Sequence, residues 1–282
     1  MQDPLTAELR LLLPDVIDLA RLAGDKILEI YQSEFLVNNK KDNTPVTCAD
    51  LAANDLIVQK LSELTPQIPV LSEESEEIPF AERRHWETYW LVDPLDGTKA
   101  FIEKTGEFSV NIALIYRHYP VLGVIYSPVK KCSFYASKDG GAFYLNDDNQ
   151  LRSIQVRSQC PAKNQQESKI VVAGTRSSRS AAMQAFLDNL EKACTGYEIK
   201  FMGSSLKSCM VAEGVADVYA RLGPTSEWDT AAAQCIVEEA GGLITDTKMQ
   251  VLAYNTKESL LNPNFFVFGD KSIRWNQFLA DD

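Results

Sequence analysis

The feature that most constrains the fold of this chain is a change in the rhythm of its apolar segments near residue 150. Over 107–145, short runs typical of β-strands follow one another across short connections, with Asp139-Gly140-Gly141 as a hairpin signal. After residue 169, strand-like runs alternate with helical ones. Short connections favour an antiparallel sheet, whereas a β-α-β-α order favours a largely parallel one. The sequence therefore predicts an α/β protein with an α+β half (1–155) and an α/β half (156–282).

Two amphipathic helices are predicted ahead of the first sheet. Apolar residues recur every three or four positions over 12–30, which is typical of a helix with one buried stripe. Thr47-Cys48-Ala49-Asp50 has the form of a capping box that begins a second helix, ending near Leu64. We expect its buried side to be lined by Leu51, Val58, Leu61 and Leu64. Both helices are expected to flank the antiparallel sheet.

Composition narrows the class of protein. The net charge of −11 argues against non-specific binding of nucleic acid, which requires a basic surface. No apolar run approaches the roughly 18 residues of a membrane span, and Met1-Gln2-Asp3-Pro4 does not resemble a signal peptide. The six cysteines are widely spaced without a C-x-x-C pair, which indicates reduced thiols. These features predict a cytoplasmic protein.

The segment 93–98 (Asp-Pro-Leu-Asp-Gly-Thr), named here the acidic corner, follows an apolar run that predicts a buried strand. Pro94 ends the run, a tight turn is expected at its Asp-Gly pair, and Thr98 could cap a short helix. The two aspartates and the carbonyl of Leu95 offer three hard oxygens, which suit Mg²⁺ better than Zn²⁺. Taken alone, the segment is equally compatible with an acidic surface turn.

Two further acids are candidates to join this corner. Glu73 follows a short apolar run, and Asp229 begins a predicted helix, where it could equally be an N-terminal cap. Two carboxylates about 4 Å apart repel by roughly 4 kcal/mol at an effective dielectric constant near 20. A cluster of such acids is therefore expected only where a divalent cation balances it. The two histidines, His85 and His118, lie alone among loop-like residues and are not expected to be catalytic.

The acidic motifs, in this order along the chain, resemble those of the inositol monophosphatase-like superfamily of Mg²⁺-dependent, lithium-sensitive phosphatases. The resemblance extends over about residues 16–268. Within the superfamily the chain is most similar to the CysQ type, the bacterial 3'(2'),5'-bisphosphate nucleotidases of sulfur assimilation. The segments that carry this closer resemblance are 93–99, 106–114, 203–207, 212–219 and 221–229. It implies a layered αβαβα sandwich of the inositol monophosphatase/fructose-1,6-bisphosphatase type, with the site in the cleft between the two halves.

The resemblance implies a metal role for five residues. One Mg²⁺ would be held by Glu73, Asp93 and the Leu95 carbonyl, and a second by Asp93, Asp96 and Asp229. The attacking water would lose its proton with help from Glu73 and Thr98. Asp42 matches an acidic position that would orient a water or a third, weaker Mg²⁺, although a loop-capping role is equally compatible with the sequence.

The same resemblance implies a set of substrate contacts. Lys207 and Arg221 match basic positions that contact the second phosphate or the ribose, although Lys207 could also lie on a solvated helix face. The full substrate-binding set is Asp96, Gly97, Thr98, Ser204, Lys207, Arg221 and Asp229. Two positions depart from close relatives, which often have an acid at Ala100 and a histidine at Ser178. Nucleotide preference is therefore less firmly implied than phosphatase activity.

The expected reaction converts adenosine 3',5'-bisphosphate to AMP and phosphate, and 3'-phosphoadenylyl sulfate is a further expected substrate. An inositol monophosphatase or another sugar-phosphate phosphatase of the superfamily is the nearest alternative. A regulatory protein that keeps the fold and binds a partner is an alternative of another class. The sequence leaves open whether the chain is a monomer or a dimer and whether it contacts the inner membrane peripherally.

Overall fold

The chain folds into five layers in the order helices, sheet, helices, sheet, helices. The computed structural model describes residues 8, 10–33, 37–39, 45–159, 169–176, 180–193 and 196–280. The first helix is α1 (Leu13–Tyr31), and a short antiparallel pair, β1 (Val37–Asn39) and β2 (Pro45–Thr47), leads into α2 (Cys48–Leu64). The two early helices are thus present as predicted.

The second helix begins at the predicted capping box. The Thr47 hydroxyl oxygen accepts a hydrogen bond from Ala49 N (3.1 Å). In return, Thr47 N donates to Asp50 Oδ2 (2.8 Å). The predicted buried face is partly wrong, because Leu51 is 46% exposed while Leu61 is buried. The helix instead buries a row with two alanines, whose small side chains allow close packing against α1 and the sheet.

Seven strands form the first sheet. They are β3 (Val70–Ser72), β4 (Thr88–Asp96), β5 (Ser109–Tyr116), β6 (Tyr119–Ser127), β7 (Cys132–Ser137), β8 (Gly141–Asn146) and β9 (Leu151–Ser153). Neighbours in sequence are neighbours in the sheet, and all pairs are antiparallel except β3 and β4. Two short helices flank β4, namely α3 (Phe80–Arg83) and α4 (Thr98–Ile102). The predicted antiparallel sheet is present, and β9 was not predicted.

Five strands form the second sheet, in the order β11-β10-β12-β14-β13. The elements are β10 (Ile170–Gly174), α5 (Ala181–Ala193), β11 (Tyr197–Phe201), α6 (Leu206–Ala212), β12 (Val218–Arg221), α7 (Glu227–Glu239), β13 (Leu243–Asp246) and β14 (Phe265–Phe268). The prediction of a largely parallel sheet is only half right, because β14 pairs antiparallel with both β12 and β13. No crossover helix lies between β13 and β14 in this described stretch, so β14 returns in the opposite direction.

Three apolar clusters hold the layers together. Helices α1 and α2 cover the outer face of the seven-stranded sheet, and α6 and α7 are packed between the two sheets. Helix α5 and a terminal 3₁₀-helix (Trp275–Phe278) cover the outer face of the five-stranded sheet. This is the predicted αβαβα arrangement. The functional division at 155/156 stays a prediction.

None of the helices in the described ranges combines the length and apolarity needed to cross a bilayer.

Candidate metal centre

The acidic corner lies at the end of β4, where the pairing with β5 becomes irregular between Asp93 and Asp96. Proline at this point has no N–H to donate to the ladder, which is typical of a strand bulge. Asp93 Oδ1 accepts a hydrogen bond from Leu95 N at 3.0 Å, which fixes the turn of the chain. Gly97 has φ +97°, a left-handed conformation that favours glycine. The predicted tight turn is therefore present.

Thr98 does not cap the following helix, contrary to the sequence expectation. The N-cap of α4 is Gly97, and Thr98 is the first helical residue. Its hydroxyl instead donates to Asp50 Oδ1 at 3.1 Å and lies 3.4 Å from the Leu95 carbonyl oxygen. The hydroxyl is free of the capping role because a left-handed glycine already starts the helix. It therefore links the corner to α2.

Three carboxylates from separate elements meet beside this corner. Glu73, Asp93 and Asp229 each contribute an oxygen, and these atoms lie within 4.8 Å of one another. Glu73 directly follows β3, and its N–H donates to the Val92 carbonyl at 3.1 Å, so the parallel pairing of β3 with β4 places it next to Asp93. Asp229 lies in the first turn of α7.

Asp96 lies beside this acidic group, and hydrogen bonds from Ser205 and Asn111 hold its side chain. Its Oδ2 accepts hydrogen bonds from Ser205 N (2.5 Å) and from Asn111 Nδ2 (3.3 Å). Ser205 Oγ lies 2.6 Å from the same oxygen and 2.7 Å from the Asp229 carbonyl oxygen. Ser205 thus joins the corner to the first turn of α7. Neither Ser205 nor Asn111 was predicted as a site residue, because nothing in the sequence indicates which residues an uncharged polar side chain will contact in the fold.

Burial and mutual repulsion shape the titration of the acidic group. Burial raises the pKa of Asp93 well above its usual range, and the charges of Glu73, Asp96 and Asp229 raise it further. Burial, followed by the charge of Asp96, raises the pKa of Asp229 to about 7. A divalent cation would reverse this balance, and hard carboxylate oxygens are the ligands that such ions prefer. The donor set therefore fits a divalent metal ion.

Asp229 is both the capping residue that the sequence allowed and a member of the acidic group, and its role as a metal ligand stays a prediction. Its Oδ2 accepts a hydrogen bond from Ser226 N at 2.7 Å, which completes a capping box at the start of α7. The same side chain belongs to the acidic group. The cap orients the carboxylate, so the structural role supports the chemical one.

Asp50 is the acid that the sequence reasoning assigned only to a helix cap. It is fully buried, and its Oδ2 accepts hydrogen bonds from Thr47 N (2.8 Å) and Thr47 Oγ1 (2.6 Å). Its other oxygen accepts the Thr98 hydroxyl at 3.1 Å. The sequence predicted the capping box, but not that the second carboxylate oxygen of Asp50 would contact Thr98. Asp42, which was predicted to orient a water or a third Mg²⁺, lies outside the described residues.

The basic residues predicted for the substrate lie on the opposite wall. Lys207 is 7% exposed, which excludes the alternative of a solvated helix face. Its Nζ donates to the Ser204 carbonyl at 2.7 Å, and burial lowers its pKa to about 8, against an opposing effect of the nearby Asp96 charge. Arg221, at the end of β12, donates from Nη2 to the Pro224 carbonyl at 2.9 Å.

Two adjoining cavities open along this wall. One, of about 210 Å³, is lined by polar site residues that include Asp96, Ser204, Ser205 and Asp229. The other, of about 220 Å³, has a mainly apolar lining from β10, α5 and the segment after β12. Both cavities share the side chains of Lys207, Tyr219, Arg221 and Pro224. The two basic residues therefore lie between a polar space and an apolar one.

The described histidines and cysteines do not line the acidic group. His118 Nδ1 lies 2.8 Å from the Tyr254 carbonyl oxygen, and His85 lies beside Arg84 on the surface. The described cysteines are free thiols, three of them buried with raised pKa values, at positions 48, 132, 209 and 235.

Comparison with known proteins identifies the class to which this fold and site belong. The model of the inositol monophosphatase family matches residues 9–272, and the chain belongs to that family. Enzymes of this family are metal-dependent phosphatases, so the expectation of a divalent metal ion is supported.

Particular relatives narrow the comparison further. The chain is 42% identical over 267 residues to the 3'(2'),5'-bisphosphate nucleotidase CysQ of Aggregatibacter actinomycetemcomitans, covering 94% of this chain and 96% of the relative. It is 44% identical over 258 residues to CysQ of Salmonella typhimurium, covering 91% and 99%. The crystal structure of CysQ from Bacteroides thetaiotaomicron matches with a TM-score of 0.75 and 40% identity, covering 90% and 96%. The family and fold predicted from the sequence are confirmed, and the roles of individual residues stay predictions.

Proposed function

We propose that the chain is a Mg²⁺-dependent phosphomonoesterase that hydrolyses adenosine 3',5'-bisphosphate to AMP and phosphate. The names of its relatives support the reaction class. The observation that supports this choice of substrate is the position of Lys207, a buried cation between the acidic group and an apolar cavity. A buried ammonium group needs an anion to offset its desolvation, and a second phosphate supplies one. 3'-Phosphoadenylyl sulfate offers a similar anion and is a further candidate substrate.

The shape of the site favours a nucleotide over an inositol phosphate. The phosphate to be hydrolysed would lie by the acidic group, with Gly97, Thr98 and Ser204 around it. Lys207 and Arg221 would contact the second phosphate or the ribose. The mainly apolar cavity beyond them would take the purine ring, because pockets for small ligands combine apolar walls with few polar anchors. An inositol monophosphate has neither a base nor a second phosphate for this region.

For the metal, we propose two Mg²⁺ ions in the cleft between the predicted halves 1–155 and 156–282. Glu73, Asp93 and the Leu95 carbonyl would hold one, and Asp93, Asp96 and Asp229 the other. When bound, the ions would supply positive charge to the phosphate and lower the pKa of a nearby water.

The residues around Thr98 would activate the attacking water. Because the Thr98 hydroxyl donates a hydrogen bond to Asp50 Oδ1, its oxygen lone pairs would be available to accept a hydrogen bond from that water. Glu73 would accept the proton that the water loses. Asp50 would thus hold Thr98 in place, and the role of Asp42 in orienting a water or a third Mg²⁺ stays a prediction. Attack would be in line with the leaving oxygen and direct, since no histidine or cysteine among the described residues lines the acidic group to form a phosphoenzyme.

The test compares two substrates under one set of conditions. Phosphate release is measured from adenosine 3',5'-bisphosphate and from inositol 1-phosphate, with Mg²⁺, in the presence and absence of Li⁺. We expect the bisphosphate to be the better substrate by kcat/KM and Li⁺ to inhibit. A preference for inositol 1-phosphate would replace the nucleotidase proposal by the sugar-phosphate alternative. Absence of hydrolysis of either compound would favour a partner-binding protein.

A further inference from the structure

A buried arginine lies away from the acidic group, in the connection that leads from Glu73 to the strand of Asp93. Arg83 ends the short helix α3 and is 2% exposed. Its guanidinium donates to the Asn255 side chain, to the Glu258 carbonyl and to the Ile78 carbonyl. Its donors therefore hold the backbone and a side chain of a distant segment. A buried guanidinium in such a position fixes geometry, because its donors lie in one plane.

The partner of Arg83 is a segment that we name the strap, residues 254–262. Asn255 returns the contact, since its Nδ2 donates to the Arg83 carbonyl at 2.6 Å. The Asn255 backbone N–H donates to Glu227 Oε2 at 2.8 Å. Asn255 has φ +55°, which asparagine tolerates better than most residues. Asn255 thus connects Arg83 directly to Glu227.

Glu227 is the first residue of α7 and lies two positions before Asp229. It is 2% exposed, and its N–H donates to the Leu260 carbonyl of the strap at 2.8 Å. A second strap residue, Asn262, donates from Nδ2 to the Ser226 carbonyl (2.5 Å) and to Thr230 Oγ1 (3.1 Å). The strap therefore holds the first turn of α7 on both sides of Asp229.

The strap connects the two sources of the acidic group. Glu73 and Asp93 lie at the ends of the connection that contains Arg83, whereas Asp229 comes from α7. Arg83 and Glu227 are both buried, and Asn255 hydrogen-bonds to each of them.

We propose that Arg83 is a positioning residue for the metal ligand Asp229. Through Asn255 and Glu227 it fixes the first turn of α7, which keeps the Asp229 carboxylate close to Glu73 and Asp93. The inference rests on the proposed function in one respect, that the acidic group binds a divalent cation. It concerns residues that touch neither the substrate nor the cation.

The test measures metal binding without turnover, by electron paramagnetic resonance of Mn²⁺ added to the full chain. Arg83→Met keeps an unbranched, flexible side chain and removes the donors. Asn255→Gly keeps the left-handed backbone and the N–H to Glu227. It removes the side-chain hydrogen bonds between Asn255 and Arg83, while the bond from Arg83 to the Glu258 carbonyl stays. The control is Arg117→Met, because Arg117 is 66% exposed and pairs with Glu87 on the surface.

We expect Mn²⁺ affinity to fall about tenfold or more in Arg83→Met and Asn255→Gly and to stay unchanged in the control. The Mg²⁺ concentration for half-maximal phosphate release should rise in parallel, with kcat at saturating Mg²⁺ within about threefold of wild type. Loss of a residue that only stabilised the fold would not weaken metal binding while leaving kcat at saturating Mg²⁺ nearly unchanged. If Arg83→Met does not fold, as judged by near-ultraviolet circular dichroism, Asn255→Gly decides.

Three outcomes would count against a proposal. A folded Asn255→Gly variant that binds Mn²⁺ as wild type does would overturn the positioning role. Failure of the wild-type chain to bind Mn²⁺ would overturn it too. A wild-type chain that binds Mn²⁺ but hydrolyses neither phosphate ester would contradict the proposed function alone, and the comparison of the variants would still decide the role of Arg83.

Discussion

Two acids of the site, Asp50 and Asp229, occupy the same position in their helices. Each is the third helical residue, and each accepts a hydrogen bond from the N–H of its N-cap, Thr47 N at 2.8 Å and Ser226 N at 2.7 Å. A capping box orients a carboxylate at no cost to the helix, because the N–H groups there need acceptors. The start of a helix is therefore a rigid support for an acid that has a second role.

Thr98 allows a sharp test of the proposed water activation. We expect Thr98→Val, which has the same shape, to lower kcat by about 100-fold, because no hydroxyl would remain to orient the water. Thr98→Ser keeps the hydroxyl and the hydrogen bond to Asp50, so most of the activity should remain. Steady-state kinetics at saturating Mg²⁺ measure both. Equal losses in the two variants would indicate a packing role for the methyl group instead.

Lys207 predicts a pH dependence of substrate binding. Burial lowers its pKa to about 8, so the free enzyme carries the positive charge below that pH and loses it above. KM for the bisphosphate should therefore be flat below pH 7 and rise above pH 8, by at most about tenfold per pH unit for one proton. KM is measured from pH 6.5 to 9.5.

The matched variant for this measurement is Lys207→Met, which has no charge to lose. It should bind the bisphosphate weakly at every pH, and the rise above pH 8 should disappear. If Lys207→Met shows the same rise as the wild type, another group causes it, and Lys207 is not the residue that reads the second phosphate.

At the level of elements, two loops approach each other closely beneath the site. A Cβ at Gly203, just before α6, would lie 2.4 Å from the carbonyl oxygen of Glu107, in the loop after α4. Such a contact is not tolerated without movement of the backbone. The residue that would move, Ser205, holds Asp96 through its N–H and hydroxyl. The close approach therefore fixes one wall of the metal centre.

Gly203→Ala should thus affect stability and activity together. We expect a loss of about 1–3 kcal/mol in the free energy of unfolding, measured by chemical denaturation, and a weaker response to Mg²⁺. Gly223→Ala is the control for stability, because a Cβ at Gly223 has no atom within 4 Å. An unchanged unfolding free energy in Gly203→Ala would show that the loops can separate without cost.

The elements themselves were largely predictable, and their partners were not. Helical spacing and capping residues located α1, α2 and α7, since these signals act within a few residues. The antiparallel β14 and the burial of Lys207 depend on where the chain returns, which no local pattern encodes. The contact between Asp50 and Thr98 joins residues 48 positions apart. Likewise, the acidic residues and their order along the chain predicted a metal centre. The uncharged residues that hold them, Ser205 and Asn111, could be identified only from the fold.

At the scale of the whole molecule, the acidic group brings together side chains from separate layers. Asp93 lies in the seven-stranded sheet and Glu73 directly follows one of its strands, whereas Asp229 comes from a helix packed between the sheets. A cation bound by all three would cross-link the layers in the folded state only. By mass action, such binding stabilises the fold in proportion to the logarithm of cation concentration.

Without a cation, the same acids should make stability fall as pH rises. The pKa of Asp229 is raised from 3.8 to about 7 in the folded state, so its contribution is fully present below pH 4 and is lost as pH rises through about 7. At pH 8 in a chelator, Asp229→Asn should therefore raise Tm, by about 3 °C or more, relative to wild type. Asparagine can still accept the hydrogen bond from Ser226 N, so the helix cap is kept.

Addition of Mg²⁺ should reverse the order of the two proteins. Wild type should gain Tm with increasing Mg²⁺ at pH 8, whereas Asp229→Asn should gain little, and NaCl at matched ionic strength should not substitute, because a buried group is poorly screened. Differential scanning calorimetry measures all three conditions. If wild type and variant respond alike to the chelator and to Mg²⁺, the acidic group is not where the cation binds, and the layers must be held by packing alone.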